Sequence, residues 1–178
     1  MKATTLLEKQ HRVVEKLFKK LEGGRSDAAA VLVELANNLA AHMAIEQDIF
    51  YPAVKAIDED LVAEAYEEHS LAELGLKRLL ATKPSAASFK ARVTACKELI
   101  EHHVEEEEHD LFPKVEKKLG EEKLLEMGKA MKARFDEVVA SGFEAAVPKG
   151  PAGKTSADVS RESRNGHSRQ SAARAARA

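Results

Sequence analysis

Tryptophan is absent from this chain and cysteine occurs once, as Cys96. A lone thiol excludes an intramolecular disulfide, so the 178 residues must hold together through a buried core, which that length supports in a single domain. No basic and then apolar leader opens the sequence, and charges interrupt every apolar run short of about 18 residues, so the expectation is a protein kept in the cytoplasm with no membrane span. No glycine-rich phosphate loop and no Ser-His-Asp grouping is evident, which leaves nucleotide-binding and hydrolase readings without support. Period-two alternation of the kind that marks strands is missing too.

What is present divides at Pro148. Residues 148–178 hold seven Lys or Arg against Asp158 and Glu162, a surplus of five positive charges, so residues 1–147 carry the −7 that brings the whole to −2. The tail is rich in Ser, Gly, Ala and Arg with almost no large apolar side chain, which predicts disorder because nothing offsets the entropy of ordering it. Lacking interleaved aromatics, it supports at most weak electrostatic contact with nucleic acid or another acidic surface. The domain proper is expected over 1–147, dense in Ala, Leu, Glu and Lys, which favour helix.

Turn and cap residues at Gly23 to Ser26, Ile57 to Asp60, Thr82 to Ser85 and Gly120 cut this domain into helices over about 5–22, 27–56, 60–81, 86–118 and 121–141. Spacings of three and four define inward seams. The first runs Leu7, His11, Val14, Phe18, Leu21; the second Leu32, Leu35, Leu39, His42, Glu46, Ile49. The third runs Val62, Tyr66, His69, Glu73, Leu76, Leu80; the fourth Phe89, Val93, Cys96, Ile100, His103, Glu107, Leu111. Each seam is apolar at its ends and polar in its middle. A buried histidine or carboxylate costs several kcal/mol unless compensated, so four such interruptions point to a common purpose.

In an up-and-down bundle, residues on neighbouring helices share a height when the midpoint of their numbers falls in the connecting turn. The pairs His11/His42 and Glu46/His69 satisfy this, and the midpoint of His69/His103 lies next to the Thr82 to Ser85 break. The sequence also repeats: His42-x-x-x-Glu46 with Pro52 matches His103-x-x-x-Glu107 with Pro113, and a single histidine, His11 or His69, precedes each motif by 31 or 34 residues. Side chains four apart share a helix face, so His-x-x-x-Glu can aim an imidazole and a carboxylate at one point. Six groups in repeat symmetry predict two equivalent metal positions, each with two imidazoles and a share in both carboxylates, with coordination positions left open. Imidazole and carboxylate without thiolate suit iron, and also manganese or zinc; Cys96, two turns from His103, is not expected to be a ligand.

At these residues the chain resembles the hemerythrin-like family with its His-His-Glu cation-binding motif, over about residues 5–118. The resemblance implies an antiparallel four-helix bundle with a non-haem di-iron centre, carried here by His11, His42, Glu46, His69, His103 and Glu107. It also implies roles in binding oxygen or nitric oxide, sensing iron, or responding to oxidants. Oxygen-carrying hemerythrins place a further histidine one turn after the third-helix histidine and an aspartate five after the fourth-helix one. Glu73 and Glu108 stand at those positions here, so the chain looks more like the symmetric, iron-responsive versions. Glu73 is left open as ligand, internal acid or solvent-facing residue.

The functional expectation is a metal-ion module that binds or senses oxygen, nitric oxide, iron or redox state. A peroxide-reducing or dismutating enzyme, with Glu73 as proton donor, and a structural zinc bundle acting through partners are the alternatives. His102 and His109 are expected to face solvent, Glu105, Glu106 and Glu108 to form a solvated face with Glu106 the candidate outer partner of a ligand, and Pro52 and Pro113 to bend or end their helices. The fifth helix, with Leu124, Met131, Phe135 and Val138 on one side, is expected to cover the bundle, with a dimer surface as the alternative.

Overall fold

The computed structural model describes residues 1–24 and 27–147, apart from the side chains of Ala145 and Ala146. Arg25, Ser26 and the basic tail expected to be disordered lie outside the described residues. Every regular element described is helical: α1 (Ala3–Glu22), α2 (Ala28–Ile45), a π-helical turn π1 (Glu46–Phe50), α3 (Tyr51–Val54), α4 (Glu59–Leu80), α5 (Phe89–Glu106), a second π turn π2 (Glu107–Leu111), α6 (Phe112–Ser141) and the short α7 (Phe143–Ala146). The chain is all-α, as the composition predicts.

These segments assemble into four rods and a cover. The first rod is α1, the second is α2 continuing through π1 into α3, and the third is α4. The fourth is α5 continuing through π2 into the start of α6. Gly120, at φ 73° and ψ 169°, breaks α6; only glycine takes that conformation without penalty, and the expected stop at this position is where the fourth rod ends. Beyond it α6 folds back across α1 and α2, burying Leu124, Met127, Met131 and Val138. The fifth helix therefore covers the bundle. Asp58 caps α4, its carboxylate accepting from the Leu61 N–H at 3.2 Å, which fixes where the third rod begins.

Pro52 precedes the end of its rod at Val54 by two residues, as expected, whereas Pro113 lies in the first turn of α6, which continues to the break at Gly120. Each is met by a π turn in the preceding five residues. Proline has no N–H to give the carbonyl four residues back, and its ring crowds that carbonyl. The chain responds by widening the turn: the N–H of Tyr51 bonds the carbonyl of Glu46, and that of Phe112 the carbonyl of Glu107, each five residues back. Both π turns thus begin on the glutamate of a His-x-x-x-Glu motif.

The core consists of two apolar clusters. One gathers Leu17, Phe18, Leu35, Leu39, Leu76, Val93 and their neighbours. The other gathers Leu7, Ile45, Phe50, Val54, Leu111, Leu124 and Met131. Between them lies the polar layer. The stretch Ala28–Val54 is long and apolar enough to cross a membrane by composition, with mean hydropathy 1.4, but 61% of that window is buried inside the bundle; its apolar residues form the core.

Candidate metal centre

One side chain from each of α1, α2, π1, α4, α5 and π2 enters the polar layer: His11, His42, Glu46, His69, His103 and Glu107, all buried. They arrange as two imidazole pairs. His11 Nε2 lies 3.2 Å from His42 Nε2, and His69 Nε2 lies 3.1 Å from His103 Nε2. Each carboxylate spans the pairs. Glu46 Oε2 is 3.2 Å from His42 Nε2 and 3.3 Å from His69 Nε2; Glu107 Oε2 is 3.4 Å from His11 Nε2 and 3.7 Å from His103 Nε2. One ligand atom from each of His11, His42, Glu46 and Glu107 falls within 4.8 Å of the others, and the same holds for Glu46, His69 and His103. This is the arrangement the repeat predicts: two imidazoles on each side and two shared carboxylates between.

The four imidazoles are held in this orientation from behind. His11 Nδ1 meets Glu108 Oε1 at 2.7 Å, His42 Nδ1 meets Gln10 Oε1 at 2.9 Å, and His103 Nδ1 meets Glu68 Oε2 at 2.6 Å. Gln47 Nε2 lies 3.1 Å from His69 Nδ1; a half-turn of that amide would present its oxygen to the ring, as the other three partners do. An Nδ1–H engaged in this way leaves the Nε2 lone pair free to face a cation and raises its basicity. The partners follow a rule: Gln10 and Glu68 each precede the single histidine of a half, and Gln47 and Glu108 each follow the motif glutamate. Each imidazole pair consequently has one carboxylate and one amide behind it.

Tyr51 enters the layer as well, fully buried. Its hydroxyl donates to Glu107 Oε1 at 2.9 Å and lies 3.1 Å from His69 Nε2 and 3.4 Å from His103 Nε2. The π turn explains why helical periodicity misses it. Five residues after Glu46, an α-helix would turn Tyr51 about 140° off the seam, whereas the wider turn brings it back. The repeat alignment held the signal, since Tyr51 aligns with Phe112, whose ring stacks on His11 at 6.1 Å with an 11° interplanar angle. At this position the two halves differ by one hydroxyl, and it faces the His69/His103 pair.

The electrostatics call for a cation. Burial, followed by the charge of Glu107, pushes the Glu46 carboxyl well above the ordinary range. Burial opposes ionisation of Glu107 also, but the surrounding His103 and His11 outweigh it and hold that carboxyl low. Burial, aided by neighbouring imidazoles, drives His42 and His69 well below the usual histidine value, into the neutral form a metal ligand needs. Both carboxylate oxygens of Glu46, and Glu107 Oε2, are buried without a hydrogen-bond partner. Buried carboxylate oxygens carry a penalty of several kcal/mol unless a cation compensates them. These orphaned oxygens and the four Nε2 atoms fit a pair of borderline-hard ions such as iron, manganese or zinc.

Other expectations need correction or are met. Glu106 is no outer partner of a ligand; it faces His102 at the surface, 3.5 Å away, because its rotation on α5 carries it past the seam. The outer positions belong to Glu68 and Glu108. Glu108 reaches His11 through the back of its ring and also bonds Arg12, so it stands outside the ligand layer. Glu73 is buried, its carboxylate pairs with Lys77 one turn on, and it is not among the groups whose ligand atoms converge in the layer. His102 and His109 are exposed, as expected. Cys96 lies in the seam, buried, its thiol pushed up to about 12 by burial, and takes no part in the layer.

The family model described as Hemerythrin HHE cation binding domain matches residues 2–115. The crystal structure of a hemerythrin HHE cation binding domain-containing protein from Mycobacterium kansasii, a homolog of Rv2633c, superposes with a TM-score of 0.71 at 31% identity, covering 79% of this chain and 89% of that one. Rv2633c of Mycobacterium tuberculosis strain H37Rv is 28% identical over 156 residues, 85% of this chain and 96% of its own. A Nostoc protein named DNA nickase is 29% identical over 106 residues, 59% of this chain. That match spans only 30% of the Nostoc protein, so most of that relative's length has no counterpart here.

Proposed function

Because this chain belongs to the hemerythrin HHE cation-binding family, we propose that His11, His42, Glu46, His69, His103 and Glu107 hold two iron ions, and that the pair binds or senses a small ligand: oxygen, nitric oxide, or the redox state of its surroundings. One observation carries the reading: two imidazole pairs with outward nitrogens engaged, spanned by two carboxylates with buried oxygens left unbonded. When bound, two such ions supply reversible one-electron chemistry and coordination positions for a diatomic molecule. The protein's part is to hold six ligands rigid, keep His42 and His69 neutral, and keep bulk water out of the layer. A reducing cytoplasm would suit the free thiol of Cys96.

Elemental analysis of protein expressed with ample iron, with visible spectra before and after reduction, tests this. About two irons per chain and a visible band bleached by reductant support it, and a response of that band to nitric oxide or oxygen supports the sensing role. Zinc alone after iron-replete expression would sink the redox reading in favour of a structural zinc bundle acting through partners.

Peroxide turnover is the second reading, favoured by Tyr51. Glu73 is engaged by Lys77, whereas the Tyr51 hydroxyl is hydrogen-bonded to Glu107 inside the layer. Loss of peroxide consumption in Tyr51→Phe with full iron content would support that role; an unchanged rate would remove it.

A further inference from the structure

A cavity of about 250 Å³ adjoins the polar layer. All four layer histidines contribute to its lining, and its walls include Val14, Phe18, Met43, Ala72, Ile100 and Val104. A diatomic ligand needs far less room. For scale, a dry apolar cavity of about 150 Å³ in a small protein suffices to bind benzene. The charged residues of the lining are four glutamates, Glu15, Glu101, Glu105 and Glu108, against Arg12 and Lys97. Both cations are already engaged, Arg12 by Glu15 and Glu108 and Lys97 by Glu22 at 3.1 Å and Glu101 at 3.6 Å. A surplus of two negative charges repels carboxylates and phosphates, while the apolar walls reward an uncharged hydrocarbon body. A polar head buried there needs a hydrogen-bonding partner, and the histidines offer polar atoms among these apolar walls.

We propose that this cavity binds an uncharged organic molecule with a body of about one aromatic ring or a short branched alkyl group and an oxygen head, the class that includes neutral alcohols and alkyl or aryl hydroperoxides. The head lies toward the histidines and the body between α1, α2 and α5. The proposal deepens the metal-centre reading by naming what reaches it, yet the walls that recognise the body act whether or not metal is bound.

The test uses the full chain, metal-free and iron-loaded, with 2-phenyl-2-propanol as probe and benzoate as its anionic comparison, followed by titration calorimetry and ligand-observed NMR. Saturable binding of the alcohol to the metal-free protein is expected, with benzoate weaker by at least about tenfold. Ala72→Phe, which fills the cavity, should weaken the alcohol by a similar factor with iron content and circular dichroism retained. Should that variant fail to fold, Val104→Phe fills the same space from α5. No saturable alcohol binding to either form, or binding undiminished in a folded cavity-filled variant, overturns the proposal; benzoate binding as tightly as the alcohol overturns the assigned class. Alcohol binding by a protein that takes up no iron would uphold the cavity and sink the metal reading, and iron uptake without alcohol binding would do the reverse.

Discussion

Replacing Glu68 by Ala should weaken one metal position and spare the other. The Glu68 carboxylate lies 2.6 Å from His103 Nδ1, in the range of a charge-assisted hydrogen bond, and it is the partner that fixes which way that imidazole turns. Removing such an outer partner typically costs about 10–100-fold in metal affinity, or about 1.4–2.7 kcal/mol. The loss should fall on the His69/His103 side, because His11 and His42 keep Glu108 and Gln10. Titrating metal-free protein with zinc or ferrous iron against a chromophoric chelator would then show two phases, one shifted by the full factor and one unmoved. Glu68→Gln, which retains an acceptor oxygen, should recover part of the loss. Glu106→Ala, whose partner is the surface His102, should leave both phases in place. Equal weakening of both positions, no weakening of either, or damage from Glu106→Ala as large as from Glu68→Ala would refute the assignment of outer partners.

Tyr51→Phe removes the donor to Glu107 and should cost the metal-free protein about 1.5–3 kcal/mol, as for a buried bond to a charged group, while altering the visible spectrum of the iron-loaded form; denaturant melts and spectra that match the parent would contradict this. Metal stabilisation should grow with pH. In the metal-free protein Glu46 titrates above its unfolded value, so its contribution is full in acid and is lost as pH rises through the folded value; a bound cation requires the ionised form and reverses that sign. His42 and His69, lowered by burial, add stability above the unfolded histidine value that is lost as pH falls. The gap in Tm between loaded and metal-free protein should therefore widen from about pH 5 to about pH 8, and calorimetry should detect proton release on metal binding; a gap constant across that range would refute the scheme. Gly128→Ala would push a methyl into the backbone of Met1 and to 2.9 Å from the Ala3 nitrogen, where α6 crosses the chain's start. A loss of about 1–3 kcal/mol should register in thermal unfolding, and an unchanged Tm would mean that this crossing is not a close contact.

The meeting of four histidines and two glutamates at one height was legible because it depends only on helix phase and turn position, and both are written in residue spacing. Gly120 and Asp58 marked their boundaries for similarly local reasons. Tyr51 was not legible from periodicity, because its approach depends on a change of helical pitch ahead of Pro52 that no 3.6-residue count contains. The outer partners were missed for a different reason. Gln10, Gln47, Glu68 and Glu108 are sequence neighbours of layer residues, yet each serves a histidine on another helix, and only the packed bundle shows which. Glu108 was read with Glu105 and Glu106 as a solvated face because a run of four glutamates, Glu105 to Glu108, gives little indication of which one turns back toward the bundle. The large cavity beside α1 and α5 leaves no trace in periodicity, since it arises from side chains that stop short of one another.

The division of the interior into two apolar clusters, one on each side of the charged layer, has a consequence for how the protein opens. Without a cation, the two half-cores meet across a layer holding buried carboxylate oxygens that lack hydrogen-bond partners, so each end of the bundle can fray as its own cooperative unit. A bound metal pair would rivet all four rods at mid-height and merge those units into one. Amide hydrogen exchange of the metal-free chain would then show two separate levels of protection along each long helix, and the loaded chain a single one.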